Sequence, residues 1–158
     1  MNKNEIIPSP IKMPINILLA DDDDDESFLF NKVVEKLPFN LSFNIVGNGE
    51  ALINYLLKVK TLPDVLFLDY NMPGKNGAEA LTEIKQHILL KRIPVIIYST
   101  YFHEDMADIL YEKGAHFYIC KTNLKSLENI LHQIFTSMVF KNIDRPTRKQ
   151  FILSTFEV

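Results

Sequence analysis

Six acidic residues in a row, Asp21 to Glu26, follow the apolar run Ile15–Ala20, and Asp69 closes a second apolar run, Val65–Leu68. Carboxylates at the ends of apolar runs suit two kinds of chemistry, holding a hard cation and attacking an electrophile. Asp23, Asp24, Asp25 and Glu26 fit a solvated helix N-terminus, where the helix dipole favours negative charge. Asp21 and Asp22 fit that role poorly, because they come straight off a run apolar enough to be buried. If the two runs are neighbouring strands, Asp21, Asp22 and Asp69 converge on one pocket. Three carboxylates that close raise one another's pKa unless a cation compensates them. Oxygen ligands with room for water suit Mg²⁺ better than zinc, which prefers nitrogen and sulfur. His87, His103, His116 and His132 show no metal-ligand spacing. Two further runs end in chemically useful groups: Pro94–Tyr98 leads into Ser99 and Thr100, and His116–Cys120 leads into Lys121. In formal charge, one divalent cation and the Lys121 ammonium balance three aspartates, which prepares the pocket for a phosphoryl group. The repulsion among the carboxylates also predicts that Asp22→Asn stabilises the cation-free protein.

These residues need elements to position them. Short runs this apolar suit strands covered on both faces, as in a parallel sheet. The five runs are Ile15–Ala20, Leu41–Val46, Val65–Leu68, Pro94–Tyr98 and His116–Cys120. Segments of helical period lie between them, with apolar stripes at Phe30, Val33, Val34 and Leu37, then Leu52, Leu56 and Val59, then Leu81, Ile84 and Ile88. The strongest stripe comes last: Leu124, Leu127, Leu131, Ile134, Phe135 and Met138. Asp23 with Glu26 has the spacing of a capping box. Pro73-Gly74 and Gly77 mark the loop after the third strand, and Gly114 ends the fourth helix. Strands alternating with helices give an α/β domain with right-handed crossovers. In such sheets the ligand crevice lies outside the carboxyl ends of the strands, where the aspartates stand.

A chain of 158 residues fits one domain with short extensions. The expected division is an N-terminal extension over 1–14, a domain over 15–140 and a tail over 141–158. The net charge of −3 argues against nucleic acid or an anionic membrane as partner. Cys120 is the only cysteine, so an internal disulfide is excluded, and within an apolar run it reads as an inert buried thiol. No apolar stretch approaches the ~20 residues of a membrane span. The first residues lack a signal-peptide pattern, and a cytoplasmic protein is expected.

The motifs Ile17-Leu18-Leu19-Ala20-Asp21-Asp22, Leu68-Asp69-Tyr70-Asn71-Met72-Pro73 with Gly77, Pro94 to Ser99, and Lys121 together resemble the receiver domain of bacterial response regulators in two-component signalling. The resemblance covers residues 15–140. It implies a flavodoxin-like (βα)5 doubly wound parallel sheet in strand order 2-1-3-4-5. It implies Asp69 as phosphoacceptor, and Mg²⁺ held by Asp22, by Asp21 mainly through water, by Asp69, and by the backbone carbonyl of Asn71. Ser99 and Lys121 would bind phosphoryl oxygens. Tyr118 takes the family's aromatic switch position, whose ring turns inward when Ser99 is drawn to the phosphate. Asn71 and Tyr101 fall where the family tunes phosphate lifetime. The implied partners are a histidine kinase or phosphotransfer protein and a second copy of the chain as a homodimer, and the implied docking surface is the face of helix four, strand five and helix five. Such a chain is not an enzyme, beyond catalysing its own phosphorylation and dephosphorylation.

Two features depart from the family. Thr122 follows Lys121 where proline with a cis bond is usual; a cis bond before a non-proline costs ~2.5–4 kcal/mol, so a trans bond is expected. Too few residues follow the fifth helix for a DNA-binding output domain, and Phe151 to Val158 has strand-like composition. That tail either stays loose or pairs with another chain or a sheet edge. Two competing functions are a phosphorylation-independent interaction module and a Mg²⁺-dependent phosphohydrolase working through an aspartyl phosphate. The first usually lacks one of the acidic or lysine residues, all of which are here. The second needs a general acid two residues beyond the nucleophile, where Asn71 stands.

Overall fold

The apolar runs become strands because each feeds two hydrophobic layers at once. The computed structural model describes residues 13–121, 123–140 and 143–153. Its strands are β1 (Ile15–Ala20), β2 (Leu41–Val46), β3 (Val65–Leu68), β4 (Val95–Ser99), β5 (Phe117–Cys120) and β6 (Ile152–Leu153). The helices are α1 (Asp24–Lys36), α2 (Gly49–Lys58), α3 (Gly77–Gln86), α4 (Glu104–Glu112) and α5 (Leu124–Phe140). All pairings are parallel, in the order β2-β1-β3-β4-β5-β6. The expected order 2-1-3-4-5 is therefore present, with one further strand beyond β5.

Successive side chains of a strand face opposite sides of the sheet, and the core divides accordingly. Leu18, Leu66, Leu68, Val95, Ile97 and Tyr118 join the layer under α2, α3 and α4. Ile17, Leu19, Val65, Phe67, Ile96 and Ile119 join the layer under α1 and α5. In the second layer Phe30 of α1 packs against the rings of Phe43, Phe67 and Tyr98 at 5.1–5.6 Å. The helical stripes are buried where expected, except that Val59 and Met138 are half-buried and that Ile88 and Leu124 lie further out. Ile88 is 76% exposed, because α3 ends at Gln86 with His87 as its cap and the chain leaves the helical path before Ile88. Leu124 is half-exposed because it opens α5, one turn short of the packed part of the helix.

The capping box expected at the start of α1 is half-formed. Asp23 accepts from the backbone N–H groups of Asp25 and Glu26 at 2.9 and 3.0 Å. The Glu26 carboxylate does not bond back; it is turned to Lys121 instead. A complete box stands at Asn76 and Glu79 of α3. Gly114 has φ +103 just after α4, the left-handed conformation a helix-ending glycine supplies.

Over its described part the tail takes the sheet-edge alternative. Residues 143–153 return along the β5 edge, and Ile152 and Leu153 pair with Tyr118 and Ile119. Phe151 is fully buried in the layer under α4. The Lys121–Thr122 bond, the Lys141–Asn142 step and residues 154–158 lie outside the described residues, as do residues 1–12. Among the described residues no helix is long and apolar enough to cross a membrane.

Candidate functional site

Three of the strand ladders run one bond past their strands, and those extra bonds place the reactive residues. The Asp21 N–H donates to Val46 O at 3.1 Å, that of Asp69 to Ala20 O at 2.9 Å, and that of Lys121 to Ser99 O at 2.8 Å. Backbone pairing therefore sets three side chains from β1, β3 and β5 side by side, outside the carboxyl ends of the strands. The loop after Asp69 is fixed by Gly77, whose N–H donates to Tyr70 O at 2.8 Å. A Cβ at Gly77 would meet Asp69 O at 2.5 Å, so only glycine lets α3 start this close to the acceptor strand.

Lys121 is the hub. Its Nζ lies 2.9 Å from Asp21 Oδ2 and 3.5 Å from Asp69 Oδ2, and it also donates to Glu26. Its side chain is buried, and it lies over the Tyr98 ring at 5.0 Å. Burial alone would push the ammonium pKa down, but the bonds to Glu26 and Asp21 and the charge of Asp69 outweigh that and hold it above the ordinary lysine range. Asp69 is only 5% exposed. Burial pushes its carboxyl pKa up to about 6 against the pull of Lys121, and the charge of Asp21 adds to the rise. The Asn71 N–H donates to Asp69 Oδ1 at 3.4 Å, and the Asp23 N–H donates to Asp21 Oδ1 at 2.9 Å.

The carboxylates of Asp21, Glu26 and Asp69 each offer an oxygen within 4.8 Å of the others, which is a donor set for a hard cation. Glu26 is the residue that sequence reasoning missed, since its place in an acidic run fits a solvated helix start equally well. Its signal lay in position: the first turn of a helix that leaves the crevice end of β1 faces that crevice. Asp22 is exposed and lines the crevice of roughly 580 Å³, together with Asn71, Thr100 and Lys121. Its carboxylate is not within the close cluster. Ser99 is buried at the end of β4, and its Oγ accepts from the Tyr101 N–H at 3.4 Å. Tyr118 is fully buried with its ring inward, and its hydroxyl donates to the Tyr101 carbonyl. Cys120 is a free thiol, half-buried, with its pKa raised by burial.

Known proteins are similar to this chain in sequence and fold. The family model described as "Response regulator receiver domain" matches residues 17–134. The response regulator Rcp1 of Synechocystis sp. is 34% identical over 127 residues, spanning 77% of this chain and 86% of Rcp1. The crystal structure of the phosphorylated cyanobacterial phytochrome response regulator RcpA superposes with a TM-score of 0.74 at 30% identity, covering 80% of this chain and 95% of RcpA. The Mn²⁺-bound form of Rcp1 superposes with a TM-score of 0.71 at 32% identity, covering 85% of this chain and all of that one. The chain belongs to the response regulator receiver family of two-component signalling, whose general function is to take a phosphoryl group from a kinase onto an aspartate.

Proposed function

We propose that Asp69 is the phosphoacceptor and that Lys121, Asp21 and Asp22 form the machinery around it. The supporting observation is the buried Lys121 ammonium, which touches Asp21 and Asp69 together. A carboxylate needs no general base at neutral pH, so the obstacle is bringing one anion up to another. The Asp69 oxygen attacks phosphorus, the bond from phosphorus to the donor breaks, and an acyl phosphate remains. Lys121 supplies positive charge where the phosphoryl oxygens gather. Glu26 takes one of the three donors of the same ammonium and so competes with a phosphoryl oxygen for Lys121. Ser99 bonds another phosphoryl oxygen, and Tyr118 follows Ser99 through Tyr101.

The donor set fits Mg²⁺, being all oxygen and acidic. Asp21, Asp22 and Asp69 with the Asn71 carbonyl would hold the ion, with Glu26 at hand. When bound, it offsets the charge on the phosphoryl group. A histidine kinase or histidine phosphotransfer protein is the proposed donor, and the chain catalyses only its own phosphorylation and dephosphorylation. Self-association would use the surface of α4, α5 and the tail, since the β5 edge is already paired with β6.

Incubation with acetyl phosphate and Mg²⁺, followed by intact mass, tests this reading. One acid-stable, base-labile phosphoryl group is expected; Asp69→Asn should take up none, and Asp22→Ala should lose the Mg²⁺ dependence. No uptake by the wild-type chain would favour a phosphorylation-independent interaction module, and turnover of external phosphoesters would favour a hydrolase.

A further inference from the structure

Tyr118 is gripped from two directions. On the site side its hydroxyl donates to Tyr101 O, and the Tyr101 N–H reaches Ser99 Oγ at 3.4 Å. The Phe102 ring meets it edge-on at 5.5 Å. On the far side stands the tail: the Phe151 ring lies 6.4 Å from that of Tyr118 and 5.3 Å from that of Tyr111, both edge-on. The Tyr118 N–H donates to Phe151 O at 2.9 Å.

The tail is anchored well beyond this contact. Arg148 pairs with Glu104 at 2.8 Å and Asp108 at 2.7 Å, both on α4. Arg145 stacks over Tyr111 at 4.0 Å and donates to Ala115 O and Tyr111 O. The Tyr111 hydroxyl donates to Pro146 O at 3.0 Å. Residues 143–153 thus form a strap tied to α4 and β5, and its one fully buried side chain, Phe151, packs against the switch ring.

We propose that this strap, through Phe151, holds the Tyr118 ring inward and thereby favours loading of Asp69. The inference rests on Asp69 being the phosphoacceptor. Phe151 is a positioning residue: it touches neither the carboxylates nor the crevice, and it acts through Tyr118. Coupling of this kind is reciprocal. Whatever the strap does to loading, loading must do to the strap.

The test uses the full chain with Mg²⁺ and beryllofluoride, a phosphoryl mimic, read by titration and by amide hydrogen exchange over residues 117–120 and 146–153. Phe151→Ala should raise the half-saturating beryllofluoride concentration by about fivefold or more, the lower end of usual coupling strengths. Arg148→Glu, at the surface, should shift it in the same direction while keeping the fold, and Phe151→Leu should recover most of the loss. In the wild-type chain, loading should slow exchange in the strap. Unchanged titrations in Phe151→Ala and Arg148→Glu, with strap exchange indifferent to loading, would overturn the inference and leave the phosphoacceptor reading intact. A wild-type chain that does not load at all would remove both.

Discussion

Asp69→Asn will stabilise the cation-free protein at pH 7 by about 2–3 kcal/mol. The Asp69 carboxyl is nearly inaccessible to water, and its pKa rises from 3.8 to about 6 on folding. A tenfold change in proton affinity corresponds to ~1.4 kcal/mol between the two protonation states. The folded state binds the proton more tightly than the unfolded one, so this carboxyl costs nothing below pH 3.8. The cost grows as pH rises through about 6 and is complete above it. Asparagine removes the charge and keeps the shape. Melting in a divalent-free buffer should show a Tm higher by roughly 5 °C or more at neutral pH, for a chain of this size. The difference should shrink as pH falls toward 4. An equal or lower Tm at pH 7 would contradict it. Sequence reasoning places this relief at Asp22, but Asp22 is exposed and outside the close cluster, so Asp22→Asn should leave stability nearly unchanged.

Lys121→Met should act in the opposite direction and more strongly. Asp21, with a fully buried side chain, and Asp69 would lose the one ammonium between them. Removing one partner of a buried pair costs about 3–5 kcal/mol, because the other charge stays behind without water. At pH 7 the urea midpoint without divalent cations should fall accordingly. Lys121 pulls the Asp69 pKa down, so without it that carboxyl lies above its wild-type value of about 6, and the midpoint should recover as pH falls and Asp69 takes up a proton. Phosphoryl uptake should be lost even in conditions where the variant is folded. A midpoint matching wild type at pH 7 would mean that the pair contributes nothing.

Much of the fold could be read before any coordinates, for a physical reason. Strands β1, β2 and β3 match their runs residue for residue; β3 is buried at every position and leaves no polar residue to blur its ends, whereas the edge strand β2 is only partly covered. Asp21, Asp69 and Lys121 were legible together, since each directly follows a strand and a parallel sheet brings such residues to one edge. The failures share a different cause. Glu26 looked like a cap, and its turn toward Lys121 depends on a partner 95 residues away. Ile88 kept helical period after the helix had stopped. The tail had strand-like composition, but parallel pairing with β5 and the Arg148 pairs with α4 span some 40 residues, and no local pattern encodes them.

The most direct test of Asp69 as phosphoacceptor is chemical localisation. The chain is loaded from acetyl phosphate with Mg²⁺ and reduced with borohydride, which converts an aspartyl phosphate to homoserine, and the peptides are then sequenced by mass spectrometry. Homoserine at position 69, absent without the donor, is the predicted result. Homoserine at position 21 or 22, or phosphate retained on a histidine with residue 69 untouched, would contradict it.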